Sequence, residues 1–363
     1  MVGTPLIGIV GLGSIGRYHA EHLGALAPQC DISLAGGMDI AASARERFED
    51  TFGAPTYETH RELYEQVDAA IITTPNRFHE EYAVDALSAG LDVLIEKPIA
   101  HTLESAERIA TAAQNADGNC MVGFHNRFAR PVEVLMEYLR EGRFGDIYHI
   151  EADYVRRRGV PGRGSWFTRQ DAAGGGALID IGAHAIDLAL YILGFPEVHD
   201  VSGVTRSLFG GRSDYTYLDM HGEPGDGEFD VDDSATAFLR CGNDTTVTLD
   251  VAWASNRPSK TEFVIRGEKA GARLDLVDGD LTIFETGAAG APHFSDSEIT
   301  TRDDNAHRNE QRHFAEIITS DDPLTVNTVE QALVVQRVMD AIYRSSDSGV
   351  GVELDERPVL TVD

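Results

Sequence analysis

The chain opens on an apolar run at 6–10 that stops at Gly11, after which apolar positions recur at helical spacing over 14–26. A second run at 32–38 precedes a helical pattern at 41–52. Short runs at 69–73, 93–95 and 120–123 then alternate with helical patterns at 80–89 and 103–115. Strands that are apolar on both faces and separated by helices predict βαβ units around a parallel sheet. Right-handed crossovers make such a sheet doubly wound, and the pattern ends near residue 125.

Beyond Phe128 the periodicity changes. A helix fits 131–141, an alternating strand fits 147–155, and Gly174, Gly175 and Gly176 open an apolar helix reaching about residue 193. Strand-like runs follow at 198–209, 235–241, 245–252, 261–266, 272–276 and 281–284, and two helices at 305–319 and 329–345 close the chain. Strands in succession without helices between them predict an antiparallel sheet. The expected fold is an α/β doubly wound parallel sheet over 1–125, then an α+β domain over 126–363 with a large, mostly antiparallel open sheet. A length of 363 residues suits two domains. The Gly-, Pro- and acid-rich segment 222–233 reads as an exposed loop.

Composition narrows the function. Hydrophobic residues make up 42% and charged residues 25%, which excludes a disordered chain, a collagen or a coiled coil. No run approaches the roughly 20 uninterrupted apolar residues of a membrane helix. The longest, 185–193, is broken by Asp187, and no basic-then-apolar leader opens the chain, so a cytoplasmic protein is expected. Against 60 acidic residues stand 30 basic ones, a net charge of −30 that repels phosphate backbones and anionic lipid. Neither a nucleic-acid nor a membrane partner is expected. Only Lys97, Lys260 and Lys269 are lysines. Acid excess with lysine nearly eliminated points to adaptation to high salt, where screening over ~3 Å at molar ionic strength weakens self-repulsion. Where lysine is avoided, each survivor becomes a candidate for chemistry, Lys97 first. Cys30, Cys120 and Cys241 are odd in number and widely spaced, which suits a reducing compartment and no structural metal.

The strongest local signal is Gly11-x-Gly13-x-x-Gly16, directly after a strand and opening a helix. Glycines there allow a tight turn, close approach to a pyrophosphate and close helix–strand packing, while the free amides around Ser14 and Ile15 face the anion. Asp39 falls 23 residues after Gly16, at a strand end, where a carboxylate accepts from both ribose hydroxyls and repels a 2′-phosphate. NAD is therefore favoured over NADP. Thr74, Pro75, Asn76 and His79 follow the next strand and should border the cofactor, although Asn76 and His79 could instead cap or pack the helix behind them. Glu96, Lys97 and Pro98 end another strand, and an ammonium there could stabilise a developing alkoxide. Asp180, His184 and Asp187 share a face of an otherwise apolar helix. Buried carboxylates and imidazoles need partners, so a core histidine satisfied by Asp187 competes with an acid–base pair. Arg156, Arg157, Arg158 and nearby Trp166 form a cationic and aromatic patch suited to a polar substrate.

In this order, Gly11-x-Gly13-x-x-Gly16, Glu96-Lys97-Pro98 and Asp180-x-Gly182-x-His184 resemble the Gfo/Idh/MocA family, named for glucose–fructose oxidoreductase and inositol dehydrogenase. The resemblance implies an N-terminal Rossmann domain and a C-terminal domain whose open sheet mediates homodimers or homotetramers. It further implies NAD(P)-dependent oxidation or reduction of a sugar, sugar derivative or cyclic polyol. By motif, Lys97 polarises the reacting hydroxyl, His184 is the acid/base, Asp180 orients substrate, and Asn126 and Arg127 line the site. Two alternatives use the same scaffold: a glycoside hydrolase working by transient oxidation, and a cofactor-bound sensor. Intact Lys97 and His184 argue against the sensor. The charge pattern makes its own prediction, that stability falls as salt is dialysed away. Full cooperative folding in dilute buffer, followed by circular dichroism, contradicts it.

Overall fold

A computed structural model describes residues 4–216, 227–302, 304–320 and 322–354. Chain contacts divide it into two compact units: Met1–His125 with His307–Gln336, and Asn126–Ala306 with Arg337–Asp363.

The first unit begins with β1 (Leu6–Val10), α1 (Ser14–Cys30), β2 (Ser33–Met38), α2 (Ala42–Phe52), β3 (Thr56–Tyr57) and α3 (His60–Tyr64). It continues through β4 (Ala69–Ile72), α4 (His79–Ser88), β5 (Asp92–Glu96), α5 (Leu103–Gln114) and β6 (Cys120–Gly123). The strands form one parallel sheet in the order β3-β2-β1-β4-β5-β6. Ile7, Ile9, Ile71, Ile72, Val93 and Leu94 are wholly buried, as strands covered on both faces must be. The strand order reverses beside β1, and the carboxyl ends of β1, β4 and β5 gather there. β3 and α3 escape the sequence reading because two and five residues carry too little periodicity.

After it come α6 (Arg130–Arg140), β7 (Ile147–Val155), α7 (Gln170–Ala173), a wide π-helical turn at Leu178–Gly182, and α8 (Ala183–Ile192). Then follow β8 (Val198–Arg206), β9 (Ser234–Cys241), β10 (Thr246–Ala252), β11 (Lys260–Gly267), β12 (Ala270–Asp275), β13 (Asp280–Gly287) and β14 (His293–Ile299). α9 (Ala306–Thr319), α10 (Val329–Ser348) and β15 (Val352–Glu353) complete the described chain. The second unit holds a nine-stranded sheet ordered β14-β13-β12-β11-β7-β10-β9-β8-β15, antiparallel except where β7 meets β10. Val247, Leu249 and Val251 of β10 are buried while Thr246, Thr248 and Asp250 between them are partly exposed, the alternation of a sheet covered on one face. β14 carries no such alternation, because its seven residues are exposed or nearly so, and it is held by its ladder with β13.

Two expectations need correction. The segment 307–336, read as closing the second domain, groups with the first: the Val122 amide of β6 donates to the Asn327 carbonyl at 2.8 Å, and Met121 bridges Thr328. Within 222–233, residues 222–226 lie outside the described residues, but Val231, Asp232 and Asp233 are buried rather than exposed. Their carboxylates accept backbone N–H groups, Asp232 from Gly176 and Leu178 and Asp233 from Phe209 and Gly210. Gln170–Ile192 has the length and mean hydropathy of a membrane span, but Asp171, Asp180 and Asp187 interrupt it and it is mostly buried, as a core helix is.

Asp187 in that helix does not face His184 as a partner. Arg127 grips it, Nε to Oδ2 at 3.1 Å and Nη2 to Oδ1 at 2.5 Å, and the guanidinium lies over the Tyr191 and Phe195 rings at 4.7 and 4.9 Å. Both charges are buried, so each needs the other. Asp187→Ala is expected to cost about 3–5 kcal/mol in urea unfolding. A double replacement, Arg127→Met with Asp187→Leu, is expected to recover most of that loss.

Candidate active site

In the first unit the three loop glycines do three different things. Gly11 has φ +95°, the left-handed region that a side chain disfavours. A methyl group on Gly16 would come within 1.9 Å of the Gly11 carbonyl oxygen, so α1 can approach β1 only with glycine there. A methyl on Gly13 would meet nothing within 4 Å, and Gly13, Ser14 and Ile15 are exposed. The first turn of α1 has no side-chain cap and no acidic residue. Open space, uncapped amides and a positive helix end fit a pyrophosphate.

Asp39 is fixed beside that loop. Its Oδ2 accepts from the Leu12 amide and its Oδ1 from the Ala41 amide, both at 2.8 Å. A carboxylate has about four lone-pair sites, which leaves two for ribose hydroxyls. Arg45, the nearby cation, is turned onto the Asp39 carbonyl at 2.7 Å and Glu58 at 2.6 Å, away from any 2′-phosphate role. After β4, Thr73 donates to the Gly11 carbonyl at 2.6 Å, tying the two strand ends together. The Thr74 hydroxyl is buried with no hydrogen-bond partner among the described residues, the condition a bound ligand would relieve. Pro75 precedes a short 3₁₀ turn at Asn76–Phe78, and Asn76 is buried within it.

His79 takes the packing role that the sequence offered beside a place at the cofactor. It is buried, with Nε2 at 2.9 Å from the Thr74 carbonyl and Nδ1 at 3.0 Å from the Pro98 carbonyl. Burial pushes its pKa down, against the pull of the carbonyls. The ring braces two loops.

At the end of β5, the Glu96 carboxylate accepts from His19 Nε2 at 2.8 Å and from the Lys97 amide at 3.1 Å. Burial pushes this carboxyl up, but the hydrogen bond from His19, with the Lys97 ammonium nearby, outweighs it and holds the pKa at about 2. His307 stacks on His125 with ring centroids 3.6 Å apart, and burial lowers its pKa to about 4. The sequence reading missed His19, whose signal was its place on the buried face of α1, three residues after Gly16.

The second unit assembles the other cluster. Asp232 caps the turn entering the π-helical segment, accepting from Gly176 at 2.8 Å, Leu178 at 2.9 Å and the Tyr343 hydroxyl at 2.6 Å. A methyl group on Gly176 would lie 1.8 Å from the Asp232 carbonyl oxygen, so the glycine run is required by packing. Asp180 emerges from that segment and accepts from the buried Trp253 indole at 2.9 Å, with Arg156 at 4.0 Å. His184 follows, 5% exposed, its ring stacked against Tyr154 at 6.1 Å between centroids. An oriented carboxylate and an imidazole on one buried helical stretch can exchange a proton with a bound hydroxyl.

The remaining expected residues divide. The Asn126 amide nitrogen is buried with no hydrogen-bond partner among the described residues, as a ligand-facing group would be. Arg127 is buried against Asp187, a placement that supports α8. Arg156 stands beside Asp180, whereas Arg158 is bonded to the Ser255 carbonyl at 2.6 Å and Asn256 at 2.7 Å. Trp166 is half-buried and stacked on Phe167 at 3.8 Å. Among the described residues, no three His, Cys, Asp or Glu side chains are grouped to hold a metal ion.

Comparison with known proteins follows the same division. Residues 6–124 match an oxidoreductase family with an NAD-binding Rossmann fold, and residues 132–273 match the GFO/IDH/MocA C-terminal domain. The chain is 30% identical over 361 residues to a D-glucoside 3-dehydrogenase of Escherichia coli K12, covering 98% of this chain and 99% of the relative. It is 26% identical to a scyllo-inositol 2-dehydrogenase (NAD(+)) of Bacillus subtilis, covering 97% of each. Among solved structures, an oxidoreductase domain protein from Kribbella flavida superposes with a TM-score of 0.84 at 25% identity, covering 98% of this chain and all of that one.

The Glu96 geometry makes a pH prediction. Its folded pKa of about 2 lies below the ordinary value of 4.5, so its stabilisation is complete above 4.5 and is lost as pH falls toward about 2. Glu96→Gln should therefore lower the urea midpoint at neutral pH, by a margin that narrows toward about pH 3. An equal margin at both ends contradicts this.

Proposed function

Because the chain belongs to the GFO/IDH/MocA family of NAD-binding oxidoreductases, we propose that it is an NAD-dependent dehydrogenase acting on a secondary hydroxyl of a sugar, sugar derivative or cyclic polyol. The observation that carries this reading is the pair Asp180 and His184 on a buried helical stretch whose other charged side chain, Asp187, is already met by Arg127. A core built for stability alone gains nothing from desolvating both groups.

In this reading the exposed amides at Gly13, Ser14 and Ile15 hold the pyrophosphate and Asp39 accepts from the adenosine ribose. Thr74, Pro75, Asn76 and Glu96 border the rest of the dinucleotide. When bound, the nicotinamide takes the hydride from the substrate carbon. His184 removes the hydroxyl proton and Lys97 stabilises the oxygen as negative charge develops on it. Asp180, held by Trp253, orients the hydroxyl, with Asn126, Arg156 and Trp166 around the sugar. The name of the Escherichia coli relative makes glucosides, oxidised at carbon 3, the first substrates to try. The same reading keeps the open face of the nine-stranded sheet as a homo-oligomer contact and the acid-rich, lysine-poor composition as adaptation to salt.

Lys97→Ala and His184→Ala are each expected to lose about 10²–10⁴-fold in turnover while still binding NAD, measured by NADH absorbance and by titration calorimetry. Native rates in both variants would refute the roles. Stoichiometric NADH from a panel of glucosides, aldoses, inositols and sugar acids separates a dehydrogenase from a hydrolase that oxidises transiently.

A further inference from the structure

A line of buried side chains reaches Glu96 from a part of the chain that no motif includes. Gln311 on α9 places Nε2 at 2.5 Å from His19 Nδ1. His19 places Nε2 at 2.8 Å from Glu96 Oε1, and the Lys97 amide donates to Glu96 Oε2 at 3.1 Å. Gln311 and His19 are both completely buried. An ionised carboxylate only accepts, so His19 Nε2 carries a proton. The Gln311 amide nitrogen only donates, so His19 Nδ1 is bare.

We propose that Gln311 is a positioning residue that holds His19 as the neutral Nε2–H tautomer, and that His19 in turn aims the Glu96 carboxylate back onto the Lys97 backbone. Its catalytic consequence rests on the dehydrogenase reading, in which Lys97 meets the reacting oxygen. Without the lock, the other tautomer turns a bare nitrogen lone pair toward a carboxylate, and Glu96 has to rotate away from one of its two donors. A neutral ring also suits its surroundings, since His19 is wholly buried and a charged imidazole there would be desolvated. Glu96, being held ionised, keeps demanding a donor from His19 at every working pH.

Nitrogen-15 NMR of the full-length protein with labelled histidine tests the tautomer directly, with the His19 signals assigned by their loss in His19→Gln. In the unaltered protein His19 is expected to show one protonated and one bare ring nitrogen at neutral pH, the bare one being Nδ1. Gln311→Met should mix the tautomers and lower kcat by about a hundredfold, with KM for NAD changed less than about twofold. Gln311→Glu keeps the side-chain shape and sets a second carboxylate against Nδ1, so His19 should become doubly protonated; this arm decides the matter if the methionine variant fails to fold. A doubly protonated His19 in the unaltered protein, a Gln311→Glu protein with the tautomer unchanged, or native kcat in Gln311→Met would each overturn the proposal. A purely structural Gln311 would lower the melting temperature and leave the nitrogen signature in place. Should no sugar be oxidised at all, the dehydrogenase reading fails while the nitrogen shifts still decide the tautomer lock.

Discussion

An ionised group cannot be taken out of water without a donor or a counter-charge to meet it, and the candidate chemistry of this protein is arranged under that rule. Glu96 is met by His19 and by the backbone of Lys97, Asp187 by Arg127, and Asp232 by two amides and the Tyr343 hydroxyl. In each case at least one partner comes from a distant part of the chain and fixes the geometry of its segment. The buried carboxylates are thus joints between elements, and the exposed functional groups are mounted on them.

The parts legible in the sequence are those whose physics is local. Short apolar runs set apart by helical patterns marked the parallel strands, because burial on both faces removes the polar half of the alternation. The glycine loop announced itself because a turn, a close packing and an open approach to an anion each require the same residue at a fixed spacing. The Asp180 and His184 pair stood out against an apolar background. What stayed hidden was every partner supplied from afar. Asp187 sits a turn beyond His184 and reads as its companion until Arg127 is seen to occupy it. Asp232 and Asp233 look like an acidic surface loop because composition does not reveal that backbone amides wait for them. Gln311 gave no signal, since a lone glutamine on an amphipathic helix is unremarkable until His19 is beside it.

Lysine scarcity proves a weaker guide than it looked. Lys260 is ion-paired on the sheet with Asp153 and Glu262, both at 2.7 Å, a placement that serves the ladder between β7 and β11. Surviving lysines therefore include at least one retained for cross-strand charge pairing. The case for Lys97 rests on its position at the end of β5, where its backbone is held by Glu96. Position carries more weight than rarity.

The grouping of 307–336 with the first 125 residues has a consequence for how this polypeptide comes into being. The last strand of the parallel sheet awaits a carbonyl from Asn327, and the interior imidazole of His19 awaits an amide from Gln311. A ribosome making this protein must therefore synthesise eight of the nine strands of the second sheet, all but β15, before the nucleotide-binding half can close. That half spends most of translation unfinished, and the cell meets it as a nascent intermediate longer than it would meet an uninterrupted domain of the same size.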